Sequence, residues 1–283
     1  MTAPPILHTI AETRHTVASV RAAKRTVALV PTMGALHEGH AALIRAAKQQ
    51  CDFVVVSIFV NPTQFGPNED FTKYPRTLEA DRVLSGEAGA DCLFVPSAEE
   101  MYPELSVTFV DVSKLDGVLC GASRPGHFRG VCTVVLKLFN IVAPDVAIFG
   151  AKDAQQARII RQMVRDLNVP VTVQVEPTVR EVDGLAMSSR NRYLSAEHRA
   201  IAPRIYAALQ SVRERAVAGE WDVARLESAL AAQLQAIPGA RIDYARVVDN
   251  ETLQPLTRLE RPALMAVAIY LGTTRLIDNV TIP

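Results

Sequence analysis

Net charge is the first thing this sequence does not have. Across 283 residues, 30 lysines and arginines stand against 30 aspartates and glutamates, a formal balance of +0. That removes the electrostatic footprint a nucleic-acid binder usually carries, so no nucleic-acid partner is expected. Cysteine is also scarce. The four present, Cys51, Cys92, Cys120 and Cys132, form no C-x-x-C pair, which excludes zinc-ribbon spacing. Cys51 and Cys92 adjoin apolar runs and read as buried thiols. No stretch approaches the ~18 uninterrupted apolar residues of a membrane span. The opening "MTAPPILHTIAETRH" has no long apolar core and carries charges early, so it does not read as a signal peptide. A cytoplasmic, reducing setting is the expectation. Internal repeats and low-complexity segments are missing as well. What remains is a chain that is 49% hydrophobic, enough for a packed core, and long enough for one large domain or two ordinary ones.

The first two thirds alternate apolar runs with helical patterns. Strands are expected at "TVALVP" (26–31), "DFVVVSIFV" (52–60), "DCLFVP" (91–96), "DVAIFG" (145–150) and "PVTVQVEPTV" (170–179). Helices are expected at 39–50, 76–89, 131–144 and after residue 153. Strands alternating with helices imply right-handed crossovers and a parallel sheet. Beyond about residue 180 the texture changes to two helices, 195–219 and 222–237, followed by strand-like segments 241–249, 263–272 and 274–282. The expected organisation is therefore a parallel α/β domain over 1–180 and a smaller α+β domain over 181–283, with a boundary in the region 176–186.

Five polar stretches interrupt this pattern. "PTMGALHEGH" (31–40) places His37 and His40 where a strand turns into a helix. Turn histidines are ordinarily structural. Here they lie where an open α/β sheet gathers its ligands and where a helix start directs N–H groups at anions. The zinc reading fails, because a metalloprotease helix needs H-E-x-x-H and this chain has H-E-G-H. "FGAKDAQQ" (149–156) again follows a strand. Gly150 permits close backbone approach, Lys152 can bring a point charge to phosphate, and Asp153 can either accept from a ribose or cap a helix. "GLAMSSRNRYL" (184–194) sets Ser188, Ser189, Arg190 and Arg192 in a polar turn. That composition suits a phosphate clamp, although capping accounts equally well for the serines. In "SIFVNPTQFGPNEDFTKYPRTLEAD" (57–81), Asn61 and Gln64 follow the end of a strand, where small polar substrates are read. Glu69, Asp70 and Asp81 are the carboxylates open to a hydrated magnesium ion. Finally, "RPGHFRGV" (124–131) brackets His127 and Arg129 with Gly126 and Gly130, a further anion-facing helix start by pattern.

Taken together and in this order, "PTMGALHEGH", "SIFVNPTQF", "YPRTLEAD", "RPGHFRGV", "KDAQQ" and "GLAMSSRN" closely resemble the pantothenate synthetase (pantoate–β-alanine ligase) family of the H-x-G-H nucleotidyltransferase-like superfamily. The resemblance runs from about Thr26 to the C-terminus. It implies a Rossmann-like parallel sheet with helices on both faces, plus a smaller C-terminal α+β lid domain, and a homodimer. It implies ATP-dependent ligation of (R)-pantoate to β-alanine through a pantoyl adenylate, with release of AMP and pyrophosphate. By the same resemblance, Met33, Gly34, Ala35, Leu36, His37, Glu38, Gly39 and His40 form one wall of the ATP site. Gly150, Ala151, Lys152 and Asp153, together with Val179, Met187, Ser188, Ser189 and Arg190, form the others. His40 matches the family's proton donor, and His37, Lys152 and Arg190 join it as catalytic residues. Gln64 and Gln156 match the pantoate-binding glutamines, with Asn61 beside them and β-alanine bordering Gln64. Magnesium is implied with ATP, and Asp81 is its candidate ligand.

The chain departs from the family pattern at Ala151, where glutamate is usual, and at Ala154, where an aromatic is common. Two other readings compete: a different adenylate-forming enzyme of the same layout, and a nucleotide-binding protein without activity. The glutamines suit a small hydroxy acid and oppose the first. Retention of His37, His40, Lys152 and Arg190 opposes the second.

Overall fold

The computed structural model describes residues 3–67, 69–103 and 106–283; Met1 and Thr2 of the opening stretch lie outside them. The chain forms two compact units. One comprises Met1–Asp116, Arg124–Ala151 and Gln156–Pro177; the other comprises Gly117–Ser123, Lys152–Gln155 and Thr178–Pro283. The second unit thus takes in two short segments ahead of residue 176. Gln155 joins them: its Nε2 donates to the Val118 carbonyl at 2.7 Å and its Oε1 accepts from the Cys120 N–H at 3.0 Å.

The first unit is built on six strands: β1 (Ile6–Leu7), β2 (Val27–Thr32), β3 (Phe53–Ile58), β4 (Cys92–Phe94), β5 (Val146–Gly150) and β6 (Thr172–Glu176). They lie in the order β1-β4-β3-β2-β5-β6, and every pairing is parallel. Successive side chains of a strand point to opposite faces, and in β2 Val27, Ala28, Leu29 and Val30 are all fully buried. Both faces of the sheet are therefore covered, which is why these strands read as continuous apolar runs rather than alternating ones. Ala28, Val30, Val54, Val56 and Ile148 share one core with Ala41, Ile44 and Ala47 of the helix Glu38–Gln50. The strand order reverses at β2 and β5, since β2 leads to β3 on one side and pairs with β5 on the other. Crevices outside the carboxyl ends of two such strands are where open α/β sheets bind ligands.

Several elements differ from the sequence pattern, among them β1, which no expected strand covers, and two helices. A helix at Ile10–Ala22 begins with a reciprocal capping box, Thr9 with Glu12. It buries only Thr13, Val17 and Val20, too few apolar positions for a clear helical period. The helix expected at 131–144 starts at His127, directly after Gly126 in the left-handed region, and ends at Val142.

The second unit holds an antiparallel sheet of β7 (Ala240–Asp249), β8 (Ala263–Leu271) and β9 (Thr274–Ile282), with β8 in the centre. Helices Arg204–Val217 and Val223–Gln235 share its core through Leu209, Val212, Leu226 and Leu230. The single helix expected over 195–219 is two, Ala196–Ile201 and Arg204–Val217. The break falls at Pro203, whose ring removes the N–H that an uninterrupted helix needs.

All four cysteines are buried and unpaired. Burial pushes the thiols of Cys92 and Cys132 up to about 12, so both behave as small apolar side chains. No helix among the described residues is long and apolar enough to cross a membrane.

Candidate active site

β2 ends at Thr32, and the chain turns sharply before the helix Glu38–Gln50 begins. Two consecutive residues of that turn are left-handed, Gly34 with φ of 82° and Ala35 with φ of 50°. Alanine rarely adopts this region, so the surroundings must hold it there. Asp81 does so. Its carboxylate accepts from the Ala35 N–H at 2.9 Å, the Leu36 N–H at 2.8 Å and the Thr77 hydroxyl at 3.0 Å. Asp81 comes from the first turn of the helix Leu78–Ala88 and is only 2% exposed. Asp81, the candidate magnesium ligand, is thus also a buried anchor whose oxygens serve the turn that carries the histidines. In sequence, an aspartate that accepts from backbone donors looks the same as one that faces a cation.

The turn delivers His37 and His40 as a pair. His37 is the helix N-cap, and its Nδ1 accepts from the Gly39 N–H at 3.1 Å. The Nδ1 of His40 accepts from the His37 N–H at 3.3 Å. This is a capping box written in imidazoles. Because each Nδ1 accepts, each neutral ring carries its proton on Nε2. The sequence H-E-G-H thereby makes two Nε2–H donors, with ring centroids 4.2 Å apart, at the positive end of a helix dipole. Met33 and Leu36 complete the turn, while Glu38 pairs with Arg45.

Past the end of β3, Asn61 caps the short 3-10 turn Pro62–Gln64. Asn61 is 1% exposed. Its Nδ2 donates to Gln64 Oε1 and to the Gly130 carbonyl, each at 3.1 Å. Its Oδ1 accepts from the Tyr102 hydroxyl at 3.0 Å and the Thr63 hydroxyl at 2.9 Å. These contacts use the whole side chain, which orients Gln64 so that its Nε2 points toward the Met33 sulfur at 3.1 Å. Beneath the turn lies Gly130 of the helix His127–Val142. A Cβ there would sit 2.4 Å from the Thr63 carbonyl oxygen and 2.7 Å from Gln64 Cα.

The "RPGH" segment locks the same turn from below. Arg124 pairs with Glu69, Nε to Oε1 at 2.6 Å, and its NH1 lies 2.9 Å from His127 Nε2. A guanidinium can only donate, so His127 Nε2 accepts and its Nδ1–H donates to the Gln64 carbonyl at 2.8 Å. Burial raises the Glu69 carboxyl, but the Arg124 hydrogen bonds and charge outweigh it, and the group lies below its ordinary value. Arg129 pairs with Asp111 instead. The anion-facing start expected at 124–131 is thus a clamp on the Gln64 turn. Gln156 stands half-buried in the first turn of the helix Ala154–Asp166. Among the described residues, no three His, Cys, Asp or Glu side chains are grouped to hold a metal ion.

In the second unit, Lys152 and Asp153 occupy the 3-10 turn Ala151–Asp153 that follows Gly150 at the end of β5. The Lys152 ammonium is 3.8 Å from Asp153 Oδ1, and the lysine side chain as a whole is largely buried. Val179 and Met187 are joined across a hairpin by the Met187 N–H to Val179 carbonyl bond of 3.0 Å. Ser188 then caps the 3-10 turn Ser189–Tyr193, accepting from the Arg190 N–H at 3.3 Å. Ser188 is therefore a cap by geometry, the plainer of its two expected roles, and it fixes the backbone on which Ser189 and Arg190 are carried.

Residues 5–281 match the family model described as pantoate-beta-alanine ligase. The chain belongs to that family. A pantothenate synthetase of Moorella thermoacetica is 55% identical over 277 residues, 98% of each chain. The crystal structure of the Thermus thermophilus pantothenate synthetase superposes with a TM-score of 0.93 at 50% identity, covering 98% of both chains. A Francisella tularensis pantoate-beta-alanine ligase, solved in complex with beta-gamma ATP and beta-alanine, superposes with a TM-score of 0.81 at 35% identity over 98% and 97% of the two chains. The family's reaction is that of a carbon–nitrogen ligase: ATP activates (R)-pantoate as pantoyl adenylate, pyrophosphate leaves, and β-alanine displaces AMP to give pantothenate.

Proposed function

We propose that this chain carries out pantoate–β-alanine ligation with the residues described above, and that the carrying observation is the histidine capping box with its two Nε2–H donors. The chemical difficulty is charge, because a carboxylate must approach a polyanion. As the pantoate carboxylate oxygen attacks the α-phosphorus, negative charge grows on the phosphate oxygens and on departing pyrophosphate. His37 and His40 donate to those oxygens from a helix N-terminus. Lys152, Ser189 and Arg190 bring further donors and positive charge to the phosphates, and such preorganised donors act most strongly where charge develops. Met33 to Leu36, Glu38, Gly39, Gly150, Ala151, Asp153, Val179, Met187 and Ser188 supply backbone and walls to the nucleotide. Gln64 and Gln156 hold the hydroxyl and carboxylate oxygens of pantoate, and Asn61 acts through Gln64. In the second step the free amine of β-alanine attacks the acyl carbon, loses a proton, and expels AMP. Each step is a displacement between bound substrates, so orientation alone contributes on the order of 7–11 kcal/mol in favourable cases.

Bound with the triphosphate, magnesium would neutralise part of its charge. It usually binds through substrate phosphates and water rather than an all-protein cage. Asp81 already accepts from Ala35, Leu36 and Thr77, so its role in this reading is to position the turn, and a bound ion would be held mainly by phosphate oxygens and water. Asp81→Asn tests this. The amide turns an N–H toward a backbone donor, so turnover should fall by about tenfold or more, while the magnesium concentration giving half-maximal rate stays unchanged. A raised magnesium requirement would make Asp81 a metal ligand. We further propose residues 1–180 as the catalytic domain and 181–283 as a lid domain, in a cytoplasmic homodimer.

Gln156→Ala tests the pantoate assignment. An amide has no useful titration and works only by hydrogen bonding. Leaving pantoate oxygens unpaired costs about 1–3 kcal/mol, which is roughly a tenfold or larger rise in the pantoate dissociation constant. Calorimetric titration should show this with ATP affinity nearly unchanged. An equal loss for ATP would mean the pocket is wrongly assigned.

A further inference from the structure

The C-terminal strand β9 carries "LIDN", 276–279, and its buried face includes a charged residue. Leu276 and Ile282 face the core, yet Asp278 is also buried, at 4% exposed. An unpartnered carboxylate there would be very costly. Its partner is Arg180, held at both nitrogens: NH1 to Oδ2 at 2.6 Å and NH2 to Oδ1 at 2.9 Å. Arg180 also lies over the Tyr206 ring, with its guanidinium carbon 3.5 Å from the centroid, and donates to the Gly184 carbonyl at 3.1 Å. It sits inside the hairpin that joins Val179 to Met187 and leads into Ser188–Arg190. The next residue, Asn279, reaches a different segment. Its Nδ2 donates to the Lys152 carbonyl at 2.9 Å, and its own N–H is tied to Asp278 Oδ1 at 2.8 Å.

Adjacent residues of one strand therefore grip two segments far apart in sequence, the lysine turn after β5 and, through Arg180, the hairpin that leads into the serine–arginine turn at 188–190. We propose that Asp278 and Asn279 are positioning residues for ATP: they set the spacing of Lys152 relative to the Ser188–Arg190 turn, and neither needs to touch the nucleotide. This rests on the reading that those two turns hold the ATP phosphates. The physical logic is pre-organisation. A lysine on a flexible stem is a useful phosphate ligand only if its backbone is fixed, and the hydrogen bonds of a short 3-10 turn have poorer geometry than those of an α-helix. The side-chain amide of Asn279 supplies that restraint from a strand already pinned in the core.

The test uses the full-length enzyme and steady-state kinetics with ATP and pantoate varied in turn. Asn279→Ala should raise the KM for ATP by about fivefold to tenfold, the loss of roughly one well-made hydrogen bond, and leave the KM for pantoate within about twofold. Asn279→His, which keeps an N–H at similar reach, should recover most of the loss. Asp278→Asn, which keeps the shape but weakens the grip on Arg180, should also act on ATP and not on pantoate. A native ATP KM in Asn279→Ala, or equal rises for both substrates, would overturn the proposal, as would failure of the histidine variant to recover. Lys152→Ala separates the ATP contact from its anchoring. If it leaves the ATP KM unchanged, the assignment of the lysine turn to ATP is at fault. If it weakens ATP while Asn279→Ala does not, the anchoring is at fault.

Discussion

His40→Ala should lower turnover by about 100-fold or more while ATP affinity changes by no more than a few-fold. The asymmetry follows from when the interaction is made. A donor aimed at oxygens whose charge grows during attack strengthens in the transition state, so its removal is felt in kcat and little in binding. Loss of one such donor costs on the order of 100-fold to 1000-fold. The residue also accepts from the His37 N–H, so alanine leaves one helix-start donor to water, at about 1 kcal/mol of stability. Asn at position 40 separates the two roles. Its carbonyl oxygen can accept the capping bond, but it lacks the Nε2–H. His40→Asn should melt closer to the parent and still be slow. A stable, fast His40→Asn enzyme would show that the histidine serves only the cap.

Gly130→Ala should damage pantoate binding far more than a methyl group inside a helix normally damages anything. Alanine is the better helix former, so propensity alone predicts a slight gain. The surroundings reverse this, because the added carbon would meet the Thr63 carbonyl at 2.4 Å and Gln64 Cα at 2.7 Å. Both are backbone and cannot swing aside. The 62–64 turn must lift, which pulls Gln64 from Asn61 and from the His127 bond to its carbonyl. Overpacking of this kind costs about 1–3 kcal/mol of stability, and the displaced glutamine should raise the pantoate KM by roughly tenfold or more. ATP binding, which we assign to the turn after β2 and to the 150–153 and 187–190 segments, should stay near native. Unchanged pantoate kinetics would mean that the turn is not a rigid platform.

These residues also show what can be read from sequence. The strands of the parallel sheet are legible because burial on both faces makes them apolar runs, and the histidines because H-E-G-H sits at a strand-to-helix junction. The glutamines of "NPTQF" and "KDAQQ" stand out as polar residues in segments bounded by core. What the sequence hides are the residues that spend their polarity on the protein itself. By residue type Asp81 resembles a metal ligand, and His127 an anion donor. In the structure they hold the Ala35–Leu36 turn and the Gln64 carbonyl. A side chain's type reports its chemistry, but its partners come from segments tens of residues away: Asp81 on Ala35, Arg124 on Glu69, Asn279 on Lys152. One signal is available. Asp278 stands in an inward position of an alternating strand, and a charge there must have a buried partner. The break at Pro203 is equally visible, because a proline about two turns into a helical pattern ends one helix and starts another.

The central claim is that the pantoate carboxylate attacks the α-phosphorus of ATP held by the histidine pair, and isotope position tests it most directly. Pantoate labelled with ¹⁸O in both carboxylate oxygens is incubated with the enzyme, ATP and β-alanine, and the products are analysed by mass spectrometry. If a carboxylate oxygen bonds to the α-phosphorus and the carbon–oxygen bond then breaks on attack by the amine, one ¹⁸O must appear in AMP and the other in the amide carbonyl of pantothenate, with pyrophosphate unlabelled. Label in inorganic phosphate accompanied by ADP would place the attack at the γ-phosphorus and contradict the account.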